Sequence, residues 1–167
     1  MTPQITENPI VCYLLLRTDL PSLGRGKAYA HAMHAGNQLT HELCVVPLME
    51  NEKIDARVQE WHDQGEGFGM TLAVGGNETV NLEVMETLTD AAKKCGYLAG
   101  IVLDKSYPYQ VDSEMLPLIE AKWHTLPPRQ NRSGWTCFRA EHTAAWVLGP
   151  KKDLEVLMAR FGLTPND

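Results

Sequence analysis

The sequence predicts an α/β fold: a single layered domain over residues 1 to 167, with a four-stranded mixed sheet and helices on both faces. Three observations carry that prediction. Ile10 to Leu16 is apolar at every position, as befits a strand covered on both faces. Leu82, Met85, Leu88, Ala92 and Cys95 recur at helical spacing between Asn81, a cap residue, and Gly96, a stop. Strand-like and helix-like segments alternate along the chain, and right-handed helical crossovers, which leave part of a sheet parallel, normally join such an order.

The first strand ends at Arg17-Thr18-Asp19-Leu20-Pro21, because Pro21 lacks a ladder donor and restricts Leu20. Gly26 to about Leu39 then offers Lys27, Ala28, Ala30, Ala32, Met33 and Ala35, good helix formers small enough for close approach to a sheet. His41 to Met49 contains Pro47, which breaks regular helix. A second helix is expected from about Glu52 to Asp63 and a second strand over Phe68 to Val74, with a turn at Gly75-Gly76. After the helix at 81 to 95, Leu98 to Leu103 forms a third strand that delivers Asp104 to its carboxyl end. A proline-containing excursion at about 107 to 137 interrupts the pattern, with a short helix expected over Glu114 to Trp123. Thr143 to Leu148 is the fourth strand, and Leu154, Leu157, Met158 and Phe161 describe a terminal helix stopped by Gly162.

Composition narrows the classes of function. Cys12, Cys44, Cys95 and Cys137 are scattered and read as small buried hydrophobes rather than a disulfide framework or a metal knuckle. No apolar run approaches the roughly 20 residues that span a bilayer, so a cytoplasmic protein without a membrane partner is expected. The net charge of −6 argues against non-specific wrapping of nucleic acid. Residues 48 to 92 alone carry ten acidic and two basic side chains, which leaves the remainder slightly basic and allows a local basic face.

Gly24-Arg25-Gly26-Lys27 opens the first helix, but it lacks the first glycine of a Walker loop and has Ala28 where a magnesium-binding hydroxyl is needed. Tyr29 occupies the place of the third glycine of a dinucleotide fingerprint. No nucleotide cofactor is expected. Two readings of the turn remain: an anion site made of helix-start amides with Arg25 and Lys27, or a solvated basic turn. His31 and His34 share roughly one helical face without the further ligands a metal requires, so no metal is expected. Asp104 likewise has two readings, a partner for Lys27 or a cap for the turn that follows it. No nucleophile elbow is present, so an oriented water or a strongly polarised ester is the economical route for any hydrolysis.

Taken together, "LLLRTDLPSLGRGKAYAHAMHAG", the Trp61 to Phe68 segment leading into a strand, "YLAGIVLDKSYPYQV" and "TAAWVLGP" resemble the type-2 peptidyl-tRNA hydrolase family in the order of their elements, with a one-residue shift at Gln110 and a one-residue gap at Thr143. The resemblance implies a commonly dimeric α/β domain that hydrolyses the ester between a peptidyl or N-blocked aminoacyl group and the 3'-terminal ribose of tRNA, without cofactor or metal. It implies catalytic roles for Lys27, Asp104, His34 and Thr143, and tRNA contacts from Arg17, Arg25, Lys105 and Gln110. Arg129 and Arg132 are further phosphate partners on this reading, and Trp123 or Trp135 would stack on an exposed base. His31 stands where the family usually has glutamine, Pro108 or Tyr109 where it usually has threonine, and the connection over 111 to 137 is longer than usual. Two rivals follow from these departures: a non-catalytic tRNA- or protein-binding module, and a hydrolase of another small ester or amide.

Overall fold

The computed structural model describes residues 7–20, 25–64, 69–75, 80–118, 124–132 and 134–165, and every structural statement below concerns these residues. The first expected strand is β1, Ile10–Leu16. Its alternate residues serve two cores. Val11, Tyr13 and Leu15 pack with Met85, Leu88, Leu154 and Met158, whereas Ile10, Cys12 and Leu14 pack with Ala35, Leu39, Trp61 and Trp146. A strand buried on both faces reads as an unbroken apolar run for this reason.

Helix α1, Arg25–Thr40, covers the second of these faces. The chain does not break at Pro47 as expected. A π turn over His41–Val45 leads directly into the short α2, Val46–Met49, with Pro47 in its first turn. The widened turn, closed by the Val46 N–H on the His41 carbonyl, shifts the hydrogen-bond register just where proline brings no donor. Helix α3 spans Ala56–Gln64 rather than starting at Glu52, because the Asp55 carboxylate caps it by accepting the Arg57 N–H at 2.8 Å.

Strand β2 is Thr71–Gly75, and the expected start at Phe68 and the Gly76 half of the turn lie outside the described residues. Helix α4, Leu82–Lys94, is capped as expected by the Asn81 side chain, which accepts the Val84 N–H at 2.9 Å, and Gly96 follows at φ 83°. Helix α5, Lys151–Ala159, lies with α4 on the opposite face from α1 and α3, so helices flank the sheet on both sides.

The sheet is mixed and has six strands, two more than expected, in the order β3-β5-β1-β2-β6 with β4 beside β5. Only β1 and β2 among these pairs run parallel. The third and fourth strands are much longer than their apolar runs. Strand β3 covers Leu98–Val111 and β5 covers Gly134–Pro150. Between them lie a single 3-10 turn at Leu116–Leu118 and strand β4, Leu126–Asn131. The expected helix over 114 to 123 is thus represented only by that turn, and residues 119 to 123 lie outside the described residues. Strand β6, Thr164–Pro165, closes the other edge against β2.

The excursion is therefore a three-stranded antiparallel arm. Beyond the core, β5 is flanked by β3 on one side, Tyr109 opposite Cys137, and by β4 on the other, Gln130 opposite Trp135. Polar alternation and prolines hid it, because an arm with little core to cover shows no apolar run.

Candidate functional site

Strands β1 and β3 both run antiparallel to β5, so they point the same way and their carboxyl ends lie at one end of the sheet. There the regular register fails. The pairing of β3 with β5 slips between Val102 and Leu103 and again between Asp104 and Tyr107. Such bulges bend a strand and re-aim its side chains. Asp104 accordingly sits inside β3 at a bulge, not at the strand's end as expected.

The capping reading of Asp104 holds, and the partner it meets on α1 is His34 rather than Lys27, whose ammonium donates to the Pro108 carbonyl. One carboxylate oxygen accepts the Ser106 N–H at 2.8 Å, a local cap, while the other lies 3.7 Å from His34 Nδ1 on α1. Asp104 is mostly buried and the His34 ring is half exposed, with side chains 14% and 48% accessible. One turn back along α1, His31 is only 2% exposed, its Nδ1 is buried without a hydrogen-bond partner, and its ring lies 5.6 Å from that of Tyr107. Burial holds the His31 imidazole below its ordinary value. The Asp104 carboxylate works against that shift, whereas His34 and Lys27 reinforce it.

Lys27 is not a solvated surface charge. Its Nζ donates to the Pro108 carbonyl at 2.7 Å and lies 4.8 Å from the centre of the Tyr107 ring. Partial burial lowers its affinity for a proton. Lys27, His31, His34, Asp104 and Tyr107 thus form one cluster, three residues from the first turns of α1 and two from the bulged part of β3. An ammonium, an imidazole beside a carboxylate and a second, buried imidazole are groups that can stabilise a developing anion and move a proton.

The other expected site residues are dispersed. Arg17 is 9% exposed, and its guanidinium is occupied: Nε and one terminal nitrogen grip Asp19 at 2.8 Å each, and the other donates to Glu141 at 2.7 Å and to the His142 carbonyl at 3.1 Å. Arg139 holds the second Glu141 oxygen at 2.7 Å. This chain of charges ties the end of β1 to β5, and the Arg17 guanidinium holds the Asp19 carboxyl below the usual range. Thr143 is fully buried, its hydroxyl lacks a hydrogen-bond partner, and its carbonyl accepts the Arg17 N–H at 3.1 Å. Lys105 is exposed at the bulge. Gln110 lies on the arm, where its amide donates to Thr136 at 3.0 Å and accepts from Asn131 at 2.8 Å. Arg25 begins α1, but its side chain lies outside the described residues, as does Trp123.

Sequence reasoning passed over Tyr107, Asp19, Arg139 and Glu141. Tyr107 follows Asp104 by three residues and gave no signal, since only the bulge turns its ring towards Lys27. Charges inside "FRAEHTAAW" were the available hint, because a carboxylate and an arginine entering a buried strand need partners.

Fold and cluster together define a class: an α/β domain with an acid–base group at the carboxyl end of a mixed sheet, the usual place for a ligand in such sheets. No family model matches this chain, and no curated protein matches it. Among the described residues, no group of three or more His, Cys, Asp or Glu is placed to hold a metal ion, and no helix is long and apolar enough to cross a membrane.

Proposed function

We propose that the protein hydrolyses the ester linking a peptidyl or N-blocked aminoacyl group to the 3'-terminal ribose of tRNA. The observation that carries this reading is the convergence of Lys27, His34 and Asp104 around one bulge, with His34 Nδ1 3.7 Å from the Asp104 carboxylate. In this scheme Asp104 orients His34, whose exposed edge takes a proton from water as the water oxygen attacks the ester carbonyl carbon. Lys27 stabilises the negative charge on the carbonyl oxygen in the tetrahedral intermediate. When the carbon–oxygen bond to ribose breaks, the imidazolium returns its proton to the leaving oxygen. The carboxylic acid and a free tRNA end result.

Thr143 has no direct role in this scheme, since its hydroxyl is enclosed, and Arg17 acts by fixing the strand ends rather than by meeting phosphate. Single-turnover hydrolysis of N-acetyl-aminoacyl-tRNA, beside the unblocked form, tests the reading. Lys27→Ala and Asp104→Asn are each expected to slow it about a hundred- to thousand-fold, the usual effect of removing a preorganised electrostatic group. Near wild-type rates in both would defeat it. Binding of tRNA without any ester cleavage by the wild type would instead favour the non-catalytic module.

A further inference from the structure

Tyr107 is fully buried yet belongs to neither of the two cores. Its ring is met instead from α1. Lys27 Nζ lies over its face, 4.8 Å from the ring centre, and the His31 ring, one turn further along the same helix, lies 5.6 Å away. The next residue of β3 completes the contact, since the Pro108 carbonyl accepts from the same Nζ at 2.7 Å. One ammonium is thus held by a ring face and a carbonyl from consecutive residues, just after the second slip in β3–β5 pairing. A cation within about 6 Å of a ring centre is attracted by the ring quadrupole, more strongly where water is excluded.

We propose that Tyr107 is a positioning residue, whose buried ring holds the Lys27 ammonium in place and in its charged form without neutralising it. The inference rests on the proposed hydrolysis for the task of that charge, which is to stabilise the carbonyl oxygen. A carboxylate in the same place would grip the ammonium as firmly but would cancel the positive charge that a developing oxyanion needs. A ring and a peptide carbonyl carry no formal charge to cancel it. Burial pulls Lys27 towards its neutral form, and these two contacts oppose that pull. Among the described residues, the titratable or charged groups around the ammonium are His31 and His34 on α1 and Asp104 and Tyr107 on β3. Asp104 is engaged with His34 and the Ser106 N–H, and Arg139, opposite Tyr107 on β5, with Glu141.

The test is NMR of the full chain labelled with carbon-13 at the lysine ε position, the Lys27 signal being assigned by its loss in Lys27→Arg. In the wild type the Lys27 ε-methylene is expected upfield of the other lysines, the shift that protons gain above an aromatic face. Tyr107→Phe keeps the ring and should keep that shift. Tyr107→Leu removes the face while filling much of its space, so the shift should vanish. Lys27 should then release its proton about 0.4 to 1.5 pH units lower than in the wild type, the range of one cation–π contact. Asp104→Asn should move that release by less. In the hydrolysis assay Tyr107→Leu should lower kcat with little change in KM and bring the basic limb of the pH profile down by the same interval, which a mere loss of packing would not do.

A wild-type Lys27 signal that falls among those of the other lysines would overturn this role for Tyr107, and that measurement needs no Tyr107 variant to fold. Equal proton release in Tyr107→Phe and Tyr107→Leu, as expected of a ring that only packs, would do the same. So would a larger fall in Asp104→Asn than in Tyr107→Leu, since the carboxylate would then be what keeps Lys27 charged. The two proposals fail separately. A chain whose Lys27 follows the ring as expected yet leaves blocked aminoacyl-tRNA intact loses only the hydrolysis. One that cleaves it through Lys27 while the Lys27 signal ignores the ring loses only the role of Tyr107.

Discussion

The inner half of β5, Ala144 to Leu148, and its outer half, Gly134 to His142, are one continuous strand in opposite surroundings. Ala144 to Leu148 are at most 1% exposed and pair in uninterrupted register with β1 on one side and with Leu98 to Val102 of β3 on the other. In the outer half Cys137 is buried while its neighbours are partly accessible, and β4 replaces β1 as the flanking strand. The first slip in β3–β5 pairing falls between these halves and the second just inside the outer one, and Asp104, Glu141 and the charges that answer them gather around the two. Strict alternation is enough to build a core. Where it slips, side chains point in directions the pleat does not otherwise provide, and there the candidate site lies.

The comparison breaks most sharply at the two tryptophans of β5. Trp146→Ala empties a position 1% exposed at the centre of the α1-side core and is expected to cost about 3 to 5 kcal/mol. Trp135→Ala, in the half-buried arm, is expected to cost about 1 kcal/mol. Urea unfolding of both variants checks this. Equal losses would mean that the arm and the core are one packing unit.

A charge at the boundary comes next. Arg17→Met removes the group that joins Asp19 to Glu141 and leaves Glu141, only 15% accessible, with Arg139 alone. The expected loss is about 2 to 4 kcal/mol, somewhat below that for fully buried pairs because Asp19 is partly hydrated. A smaller effect is expected in the inner half at Gly100, which lies opposite Trp146. A Cβ added there would lie 2.6 Å from the indole, so Gly100→Ala is expected to cost about 1 to 3 kcal/mol through overpacking. Both are read from denaturation midpoints, and an unchanged midpoint in Gly100→Ala would mean that the indole moves freely.

The same division explains what was legible in the sequence. The inner sheet could be read because burial on both faces writes itself as Ile10 to Leu16 and as the stripe from Leu82 to Ala92. Lys27, His34 and Asp104 could be singled out because polar residues at a helix start and after a strand are conspicuous. The arm could not, since Pro108, Pro127 and Pro128 read as loop, although here they lie within β3 and β4. Nor could Glu141 be matched to Arg17. That pair spans 124 positions, and its meeting depends on a register slip with no local signature. Pro47 misled for a related reason, because a π turn absorbs a proline that a regular helix rejects.

The smallest expected effect sharpens the boundary itself. His31 lies under the cluster, and burial, the largest influence, holds its imidazole below the ordinary 6.5, with Asp104 opposing and with His34 and Lys27 adding to the shift. Between the lowered native value and 6.5 the unfolded chain binds a proton at this ring that the folded chain does not. Stability therefore rises with pH through that window, is complete above it and falls as the solution is acidified, by less than about 1.4 kcal/mol per pH unit for one proton. His31→Gln keeps a hydrogen-bonding side chain that does not titrate, so its thermal midpoint should fall less steeply than that of the wild type from pH 7.5 to 5. Parallel profiles would mean that the ring takes up its proton equally in both states. The cost of burying the charged ring would then be offset by the Asp104 carboxylate, the one neighbour that favours the protonated form.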